Sequence, residues 1–453
     1  MSSAFKECDI RGIYPEEINE NLVCEIGKAF ASFFEPQSVI VVGGDVRLST
    51  PSLKKALIEG LVAGGLKVID VGIVPTPLFY FIVETTAASG GLMVTASHNP
   101  PQYNGIKLAF GKMPPRPEDI QKIAKLVAKG GNLKRAKGGL LAMNEDWEKL
   151  YFSYLSEKLP TPDRPLKMVV DCGNGCYSGV ATRFLRGFGH QVIELFCDRN
   201  GAFPNRSPNP ALPQNLQKLS EMVHSHRADL GIAFDGDGDR VVFVDEKGQF
   251  VQAEHSMIFF IRNFVPPESA FIYDLKCSNI IPQELKKKNC RPLPERSGHA
   301  YIKRRLITEG AFMGGEISGH YFFGNLGRDD GLYAATLFSA LLSRQEASLS
   351  EILALYPEPH VTPDIRIPRD LEEHLVEKIL ETISSSEAEL ITIDGVKALW
   401  PDGWAMLRNS VTEPVYTLRF EATSPDNLKE LIHRFLFAFP KIEKVVLEKI
   451  YST

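Results

Sequence analysis

The chain of 453 residues lacks the features that mark membrane, secreted or nucleic-acid-binding proteins. No apolar run approaches the roughly 18 residues that a transmembrane helix needs, so we expect no membrane span. The first residues lack the apolar core of a signal peptide. Lys and Arg number 51 against 56 Asp and Glu, a net charge of −5, which predicts no basic surface for nucleic acid.

Cysteine is also sparse and forms no pattern. Seven cysteines are scattered along the chain, an odd number without CxxC spacing or partner histidines. Such usage excludes a disulfide framework and argues against a zinc site. We therefore expect free thiols in a reducing compartment and a cytoplasmic protein.

The length is too great for one hydrophobic core and predicts three or four domains. Strand and helix signals alternate through most of the chain, which predicts α/β layers in three loosely repeated units. The Pro-rich segment Tyr356–Pro363 breaks this pattern and is typical of a linker. Beyond it, the segments Asp364–Ile367, Val415–Glu421 and Lys444–Glu448 alternate in polarity and predict strands, while Leu371–Ser384 predicts a helix.

A serine loop follows one apolar run. The strand-like Gly91–Val94 leads into Thr95–Pro100, which contains Ser97, and Lys107 follows ten residues after that serine. The turn formers downstream place Ser97 on a tight loop. Taken alone, the motif is more simply explained as a cap or turn, because Ser and Asn favour both.

Three carboxylates follow a second apolar run. Asp235, Asp237 and Asp239 alternate with glycines and would lie ~6.6 Å apart on an extended chain, too far to share an ion. The glycines let the backbone curl until the carboxylates converge. Two such charges ~4 Å apart repel by ~4 kcal/mol at an effective dielectric of 20, a cost that a hard divalent cation removes. Oxygen-only ligands favour magnesium or a close relative.

The spacing of these aspartates nearly fits a calcium-binding EF-hand. Glu246 falls at position twelve of such a loop, but position six is Arg240, where the sharp turn needs glycine. The following Val241–Gly248 has the pattern of a strand entering a hairpin. The sequence therefore excludes an EF-hand.

Two further loops carry polar side chains suited to a phosphorylated sugar. Glu316 and Ser318 alternate around Ile317, so both can face vicinal hydroxyl groups. The segment Arg408–Pro414 offers a fork-shaped guanidinium with two hydroxyls, which suits a phosphate group. Taken alone, each of these two loops is more simply explained as an ordinary turn.

Together and in this order, the four loops resemble the motifs of the α-D-phosphohexomutase family, in particular its bacterial phosphomannomutase/phosphoglucomutase branch. The resemblance covers nearly the whole chain, and its further segments are Asp9–Gly12, Asp171–Gly175, Phe203–Asn205, Lys276–Cys277 and Ser297–His299. The Ser97 and triple-aspartate motifs are highly specific in combination, whereas the Arg408 loop is less so.

The resemblance implies a fold of three similar α/β/α domains with mixed sheets, a smaller C-terminal α+β domain, and an active site in the central cleft. The domains would be 1–146 with the phosphoserine loop, 147–249 with the metal loop, 250–358 with the sugar loop and 359–453 with the phosphate loop. It also implies a monomer whose partners are small phosphosugars.

The activity implied is that of an isomerase of carbohydrate metabolism. A hexose 1-phosphate and its 6-phosphate, of mannose or glucose, would interconvert through a phosphoserine enzyme and a bound 1,6-bisphosphate. One Mg²⁺ per chain would be the cofactor, and a sugar 1,6-bisphosphate the activator.

The site residues follow from the same resemblance. The metal ligands would be Ser97, once phosphorylated, with Asp235, Asp237 and Asp239. Catalytic roles fall to the phosphoryl carrier Ser97, two proton carriers and two charge-offsetting arginines: Ser97, Lys107, His299, Arg11 and Arg240. Substrate contacts fall to residues that hold sugar hydroxyls, grip the non-reacting phosphate or line the cleft: Glu316, Ser318, Arg408, Ser410, Thr412, Lys276 and His320.

Two departures from the family pattern and three alternatives stay open. Cys8 stands where relatives often carry tyrosine, which alters one contact in the cleft. Val411 replaces the usual glycine or asparagine between Ser410 and Thr412, which predicts a stiffer Arg408 loop with a weaker grip on phosphate. The alternatives are a phosphoglucosamine mutase, a phosphatase that passes the Ser97 phosphoryl group to water, and a non-catalytic regulatory relative. The intact Ser97, triple-aspartate and Glu316 loops argue against the last.

Overall fold

The computed structural model describes residues 4–130, 137–358, 360–384, 387–410 and 415–451. Their strands form four sheets, met one after another along the chain. The first three sheets mix parallel and antiparallel pairs, and the fourth is antiparallel throughout. No helix among the described ranges is both long and apolar enough to cross a bilayer.

The first sheet has the strand order β1-β5-β4-β2-β3-β6. Asn19 caps its first helix by accepting a hydrogen bond from Leu22 N, and Pro51 lies in the first turn of the second helix, where its missing N–H costs nothing. Its elements are β1 Ile10–Ile13, α1 Glu20–Ala31, β2 Val39–Gly44, α2 Thr50–Ala63, β3 Lys67–Ile73, α3 Thr76–Thr85, β4 Gly90–Val94, β5 Tyr103–Ala109, α4 Pro117–Ala128, β6 Gly139–Leu140 and α5 Trp147–Ser156.

The second sheet has the order β11-β10-β9-β7-β8 and is parallel between β7 and each of its neighbours β8 and β9. Every residue of Leu230–Phe234 is buried, as expected of a central strand covered on both faces. Its elements are β7 Lys167–Asp171, α6 Ala181–Gly187, β8 Gln191–Leu195, the 3-10 turn Pro213–Leu216, α7 Gln217–His226, β9 Leu230–Phe234, β10 Val241–Val244 and β11 Phe250–Val251.

The third sheet repeats this plan with the order β13-β12-β14-β15-β16. Its helix Gly331–Leu342 is apolar around its whole circumference and buried at every position. The elements are α8 Ala253–Asn263, β12 Ala270–Asp274, α9 Ile280–Lys287, β13 Arg291–Glu295, α10 His299–Glu309, β14 Met313–Gly315, β15 Tyr321–Phe323, β16 Arg328–Asp329, α11 Gly331–Leu342 and α12 Leu349–Leu353.

The fourth unit has the order β17-β22-β21-β20-β19, with β18 also paired to β22. Its elements are β17 His360–Val361, β18 Ile365–Pro368, the 3-10 turn Arg369–Leu371, α13 Leu375–Ile383, β19 Glu389–Ile391, β20 Val396–Trp400, β21 Gly403–Asn409, β22 Val415–Ala422, α14 Pro425–Leu436 and α15 Pro440–Tyr451.

One strand prediction in this unit is wrong. Lys444–Glu448 lies inside helix α15, not in a strand. Ile442 and Val446 are the buried residues of this helix, four positions apart on one face. The segment Lys444–Glu448 is too short to distinguish this helical spacing from the alternation of a strand. The predicted helix Leu371–Ser384 is shorter than expected, because its first residues form the 3-10 turn and α13 starts at Leu375.

The hydrophobic core joins the first three units. One cluster of buried side chains runs from the first sheet through the second to the third, with Phe79, Phe234 and Phe338 among its members. The C-terminal unit has a core of its own, and a small cluster of Leu275, Trp404 and Met406 connects it to the third unit. The predicted fold of three α/β/α domains and a C-terminal α+β domain is confirmed, whereas the exact domain boundaries stay predictions.

Candidate active site

A cavity of about 260 Å³ opens where the four units meet. Side chains from all four units line it, including nine residues singled out from the sequence: Arg11, Arg240, Lys276, His299, Glu316, Ser318, His320, Arg408 and Ser410. Ser97, Lys107 and the three aspartates do not line the cavity and are almost fully buried. Thr412 and Val411 lie outside the described residues.

The Ser97 loop connects β4 to β5 and is held in a strained conformation. Ser97 has a φ of 50°, in the left-handed region that a residue with a Cβ seldom adopts. The buried Arg47 guanidinium donates hydrogen bonds to Ser97 O at 2.9 Å, Asn99 O at 2.6 Å and Pro100 O at 2.7 Å. Asp45 in turn accepts a hydrogen bond from Arg47 Nε at 3.0 Å. The loop is therefore rigid before any ligand binds, and its strain is typical of functional sites.

The aspartate loop follows β9 and turns back towards Ser97. Ser97 Oγ donates a hydrogen bond to Asp235 Oδ2 at 2.7 Å. One carboxylate oxygen from each of Asp235, Asp237 and Asp239 lies within 4.8 Å of the other two. Gly238 makes the turn at a φ of 83°. The expected convergence of the three carboxylates therefore occurs, with the serine hydroxyl at its edge.

The electrostatics of this cluster suit the binding of a cation. Burial, together with the Asp239 and Asp237 carboxylates, raises the pKa of Asp235 well above its usual value. Among the residues that the structure describes, no donor forms a hydrogen bond to the buried Asp237 Oδ1. An unsatisfied, buried carboxylate oxygen is costly, and a hard cation with oxygen ligands is the group that satisfies it. The acidic cluster can therefore hold a metal ion.

Lys107 supplies the positive charge that faces these carboxylates in the structure. Its Nζ lies 2.8 Å from Asp237 Oδ2 and also contacts Asp239 Oδ2. Burial lowers the pKa of Lys107, but the Asp237 and Asp239 carboxylates outweigh it and hold the pKa well above its usual value. Lys107 is therefore a protonated group in this arrangement.

His320 connects the aspartate loop to the sugar loop. Its Nδ1 lies 2.8 Å from Glu316 Oε2 and its Nε2 lies 3.2 Å from Asp239 Oδ1. Although burial lowers it, the pKa of His320 rises to about 10 because both carboxylates favour the imidazolium. Burial raises the pKa of Glu316, but its hydrogen bond with His320 and the charge of His320 outweigh this and lower it to about 2. Ser318 Oγ donates to Glu316 Oε2 at 2.9 Å, so the two predicted sugar contacts form one unit.

His299 is the contrasting imidazole of the cavity. It begins helix α10 and its ring lies 6.0 Å from that of His320, centroid to centroid. Burial, with the neighbouring Lys107 charge, lowers the pKa of His299 to about 3. Its buried Nε2 has no hydrogen-bond partner in the described part of the chain. The cavity thus pairs a neutral histidine with a charged one.

Two arginines present unused donors near the serine. Arg11 donates to Asn99 Oδ1 and Asp9 Oδ2, both at 2.6 Å, and Arg240 Nε lies 4.0 Å from Asp235 Oδ2. Within the described ranges, neither Arg11 Nε nor Arg240 Nε makes a hydrogen bond. Buried guanidinium donors of this kind are suited to a bound phosphate.

The far wall of the cavity holds a second group of cations. Lys276 Nζ lies 2.9 Å from Asp364 Oδ2, and Arg408 Nε lies 3.0 Å from Asp394 Oδ2. Each pair holds its cation at the cavity edge between the third and fourth units. Arg366, Ser410 and Thr417 line the same wall.

Several residues that shape the site were not singled out from the sequence. Thr76 Oγ1 donates to Asp237 Oδ2 at 2.7 Å, and Arg47 braces the serine loop. Asp329 Oδ2 lies 3.7 Å from His320 Nε2. Tyr301 lines the cavity beside His299. Arg47 and Thr76 follow the strands β2 and β3, which was a usable signal, whereas Asp329 lies within β16 and Tyr301 within α10.

The arrangement has the parts that phosphoryl transfer needs. A hydroxyl lies against an acidic cluster that can hold a cation, arginine donors lie close by, and a neutral histidine opens into the same cavity. Phosphoryl transfer depends chiefly on positioning and charge neutralisation, which these groups supply. The second cationic wall suits a second phosphate on the same small ligand.

Comparison with known families agrees with this geometry along the whole chain. Four domain families described as phosphoglucomutase/phosphomannomutase match in succession: alpha/beta/alpha domain I over residues 2–134, domain II over 149–248, domain III over 253–359 and the C-terminal domain over 363–436.

Individual proteins are similar over nearly their full length. The chain is 35% identical over 438 residues to a phosphomannomutase/phosphoglucomutase of Pseudomonas aeruginosa, covering 95% of this chain and 94% of that protein. It is 34% identical over 441 residues to a phosphoglucomutase of Neisseria gonorrhoeae, covering 95% of both. The crystal structure of a phosphoglucomutase/phosphomannomutase family protein from Burkholderia thailandensis is similar with a TM-score of 0.88 at 35% identity, over 97% of this chain and 98% of that one.

Proposed function

Because the chain belongs to the phosphoglucomutase/phosphomannomutase family, and is therefore a phosphohexomutase that isomerises hexose phosphates, we propose that it interconverts the 1-phosphates and 6-phosphates of glucose and mannose through a phosphorylated Ser97. The observation that carries the proposal is the 2.7 Å contact of Ser97 Oγ with Asp235 Oδ2, next in sequence to His98, which lines the cavity together with the sugar and phosphate loops.

Ser97 is the phosphoryl carrier. Its loop is fixed by Arg47 and its hydroxyl already lies against the acidic cluster. In the first step, the bond between Ser97 Oγ and phosphorus breaks while a sugar hydroxyl oxygen bonds to that phosphorus, which gives a 1,6-bisphosphate. In the second step, the other phosphoryl group of this bisphosphate passes to Ser97, so the sum is an isomerisation.

Asp235, Asp237 and Asp239 are the protein ligands of a single Mg²⁺. The unsatisfied Asp237 Oδ1 and the raised pKa of Asp235 support this assignment. When bound, the ion supplies charge neutralisation for the phosphoryl oxygens. Arg11 and Arg240 lie around the same serine and neutralise further charge through their free donors.

His299 takes the proton of the attacking sugar hydroxyl. The sequence alone does not rank His299 and Lys107 as proton carriers for the sugar hydroxyl. A proton acceptor must be unprotonated, and His299, with its low pKa and unpartnered Nε2, meets that condition. Lys107 is protonated between two carboxylates, so its role is to hold charge, and in the reverse direction the protonated His299 returns the proton to the sugar oxygen.

Glu316 and Ser318 bind the sugar hydroxyls, with His320 fixing Glu316 as a carboxylate. Lys276, Arg408, Ser410 and Thr412 grip the phosphate that is not reacting. Glu316 and Ser318 come from the third unit and Arg408 and Ser410 from the fourth, so each group can release the bisphosphate when it turns end-for-end between the two steps.

The sugar loop accounts for use of both glucose and mannose. These sugars differ only in configuration at C2, and a site whose contacts fall on other hydroxyls separates them weakly. Ile317, between the two sugar contacts, is half-buried and packs against the main core cluster. It offers no partner to an amine, which disfavours glucosamine phosphate as the substrate.

The test is to measure kcat/KM for the 1-phosphates of glucose, mannose and glucosamine, with Mg²⁺ and a sugar 1,6-bisphosphate as activator. The proposal predicts comparable values for the first two and a lower value for the third. A glucosamine 1-phosphate value at or above the others would contradict the substrate assignment. Release of inorganic phosphate in place of the 6-phosphate would identify a phosphatase.

A further inference from the structure

Two thiols lie in contact at the edge of the second sheet. Cys172 directly follows β7 and Cys197 lies two residues after the end of β8, and these strands are parallel neighbours with Asp171 opposite Leu195. Cys197 Sγ lies 3.2 Å from Cys172 Sγ. A disulfide has an S–S distance of about 2.05 Å, so closing the bond needs the sulfurs to approach by only about 1.2 Å.

The two thiols have different surroundings, which assigns each a role in disulfide exchange. Cys197 is half-buried, whereas Cys172 is fully buried. The hydrogen bond from Cys197 and burial raise the pKa of Cys172 well above its usual value. The thiolate is the attacking form, so Cys197 reacts first and Cys172 second.

Cys172 is connected to the loop that carries the three aspartates. It begins the segment Cys172–Tyr177, and its Sγ lies 3.5 Å from Tyr177 O. In the same segment Cys176 N donates to Gly236 O at 3.0 Å. The ring of Tyr177 packs against Gly238 so closely that a Cβ there would lie 2.5 Å from it. Movement of the Cys172 sulfur therefore acts on the backbone of the aspartate loop.

We propose that Cys172 and Cys197 form a reversible disulfide, with a low-molecular-weight disulfide such as oxidised glutathione as the oxidant, and that its closure weakens cation binding by the aspartate loop. The second half of this proposal rests on the proposed magnesium site. The site would couple the state of the cellular thiol pool to the activity of the protein.

The chemistry balances in two exchange steps. The Cys197 thiolate attacks one sulfur of oxidised glutathione, which breaks that S–S bond, leaves glutathione on Cys197 and releases one glutathione thiolate. The Cys172 sulfur then attacks Cys197 Sγ, releases the second glutathione and forms the protein disulfide. Two protein thiols are oxidised by two electrons, and their two protons go to the two glutathione thiolates.

The experiment treats the full-length protein with oxidised glutathione, blocks remaining thiols by alkylation, and maps the peptides by mass spectrometry. The expected product is a linked peptide pair containing Cys172 and Cys197, lighter by two hydrogen atoms and separated by dithiothreitol. Cys197→Ser abolishes the product. Cys24→Ser, which removes another half-buried thiol distant in sequence from the pair, leaves it unchanged.

The second readout is Mg²⁺ binding by calorimetry to the reduced and oxidised forms. Disturbing groups that support metal ligands weakens affinity by about 10-fold or more, and we expect a loss of this size that dithiothreitol reverses. Recovery of glutathione on Cys197 with Cys172 still open to alkylation after unfolding would overturn the proposal. So would a disulfide that leaves Mg²⁺ binding unchanged. If the protein were no mutase, the linked peptide would still form, so the two failures are distinguishable.

Discussion

Substitution of Gly236 by alanine tests whether the close approach of the aspartate loop to the serine loop sets the reaction geometry. A Cβ at this position would lie 2.5 Å from Ser97 O. The closest ordinary C···O contacts are about 3.3 Å, so one of the two backbones must retreat by about 0.8 Å. Neither is free to do so, because Arg47 Nη2 holds Ser97 O at 2.9 Å and Cys176 N holds Gly236 O at 3.0 Å.

The cost follows from this conflict. Overpacking of a rigid site destabilises a protein by about 1–3 kcal/mol. A misplacement approaching 1 Å between reacting groups lowers a rate by about 100-fold. We therefore expect Gly236→Ala to remain folded, with a lower melting temperature and a kcat reduced by about two orders of magnitude.

The assay is steady-state mutase turnover alongside thermal unfolding, with Gly187→Ala as the matched control. A Cβ at Gly187, the last residue of α6, meets nothing within 4 Å. The same change there should leave kcat unaltered and stabilise the helix by up to about 1 kcal/mol. A kcat for Gly236→Ala equal to that of Gly187→Ala would show that the close approach of Gly236 to Ser97 does not set the reaction geometry.

Three further predictions concern charge. Asp237→Asn removes one ligand charge, so calorimetry should show weaker Mg²⁺ binding together with lower turnover; turnover unaffected by excess chelator would contradict the metal site. Glu316→Gln should raise KM for every hexose phosphate by about 10-fold or more, because a hydrogen bond to a charged group contributes that much to binding. An unchanged KM would show that Glu316 does not bind the sugar. His190 accepts a hydrogen bond from Leu166 N at its Nδ1, and burial lowers its pKa from 6.5 to about 4. Between pH 6.5 and pH 4, His190 is therefore protonated in the unfolded chain but neutral in the folded protein. The free energy of unfolding, measured with denaturant, should fall as the pH drops from 6.5 towards 4. His190→Asn, which keeps an acceptor but does not titrate, should lose less stability over that range, and an equal loss would contradict the assignment.

The sequence predicted the Ser97 and aspartate loops well because each follows an apolar strand, whereas Arg408 lies within strand β21. Ser97 comes after β4 of the first sheet and the aspartates after β9 of the second, and the ends of these two strands face each other, so that Ser97 Oγ contacts Asp235 Oδ2. The convergence of the aspartates was also predictable, since only glycine readily takes the φ of 83° observed at Gly238.

What escaped prediction depends on contacts between distant parts of the chain. The Arg47 guanidinium donates hydrogen bonds to the carbonyl oxygens of Ser97 and Asn99, about fifty residues further along the chain. No local sequence pattern predicts a contact over that separation. Whether a histidine is charged is equally a tertiary property: His320 and the Nε2 atom of His299 are both buried, but only His320 lies between two carboxylates. The wrong strand prediction at Lys444–Glu448 shows the limit of short patterns, because a run of five residues fits both the helical and the strand periodicity.

Phosphate labelling is the direct test of whether Ser97 carries the phosphoryl group. The protein is incubated with glucose 1,6-bisphosphate carrying radioactive phosphorus at both positions, separated from the sugar, and digested for peptide mapping. We expect label on Ser97, no label on Ser97→Ala, and transfer of the label to unlabelled glucose 6-phosphate, which gives labelled 1,6-bisphosphate. Label on another residue, or label retained by Ser97→Ala, would contradict it.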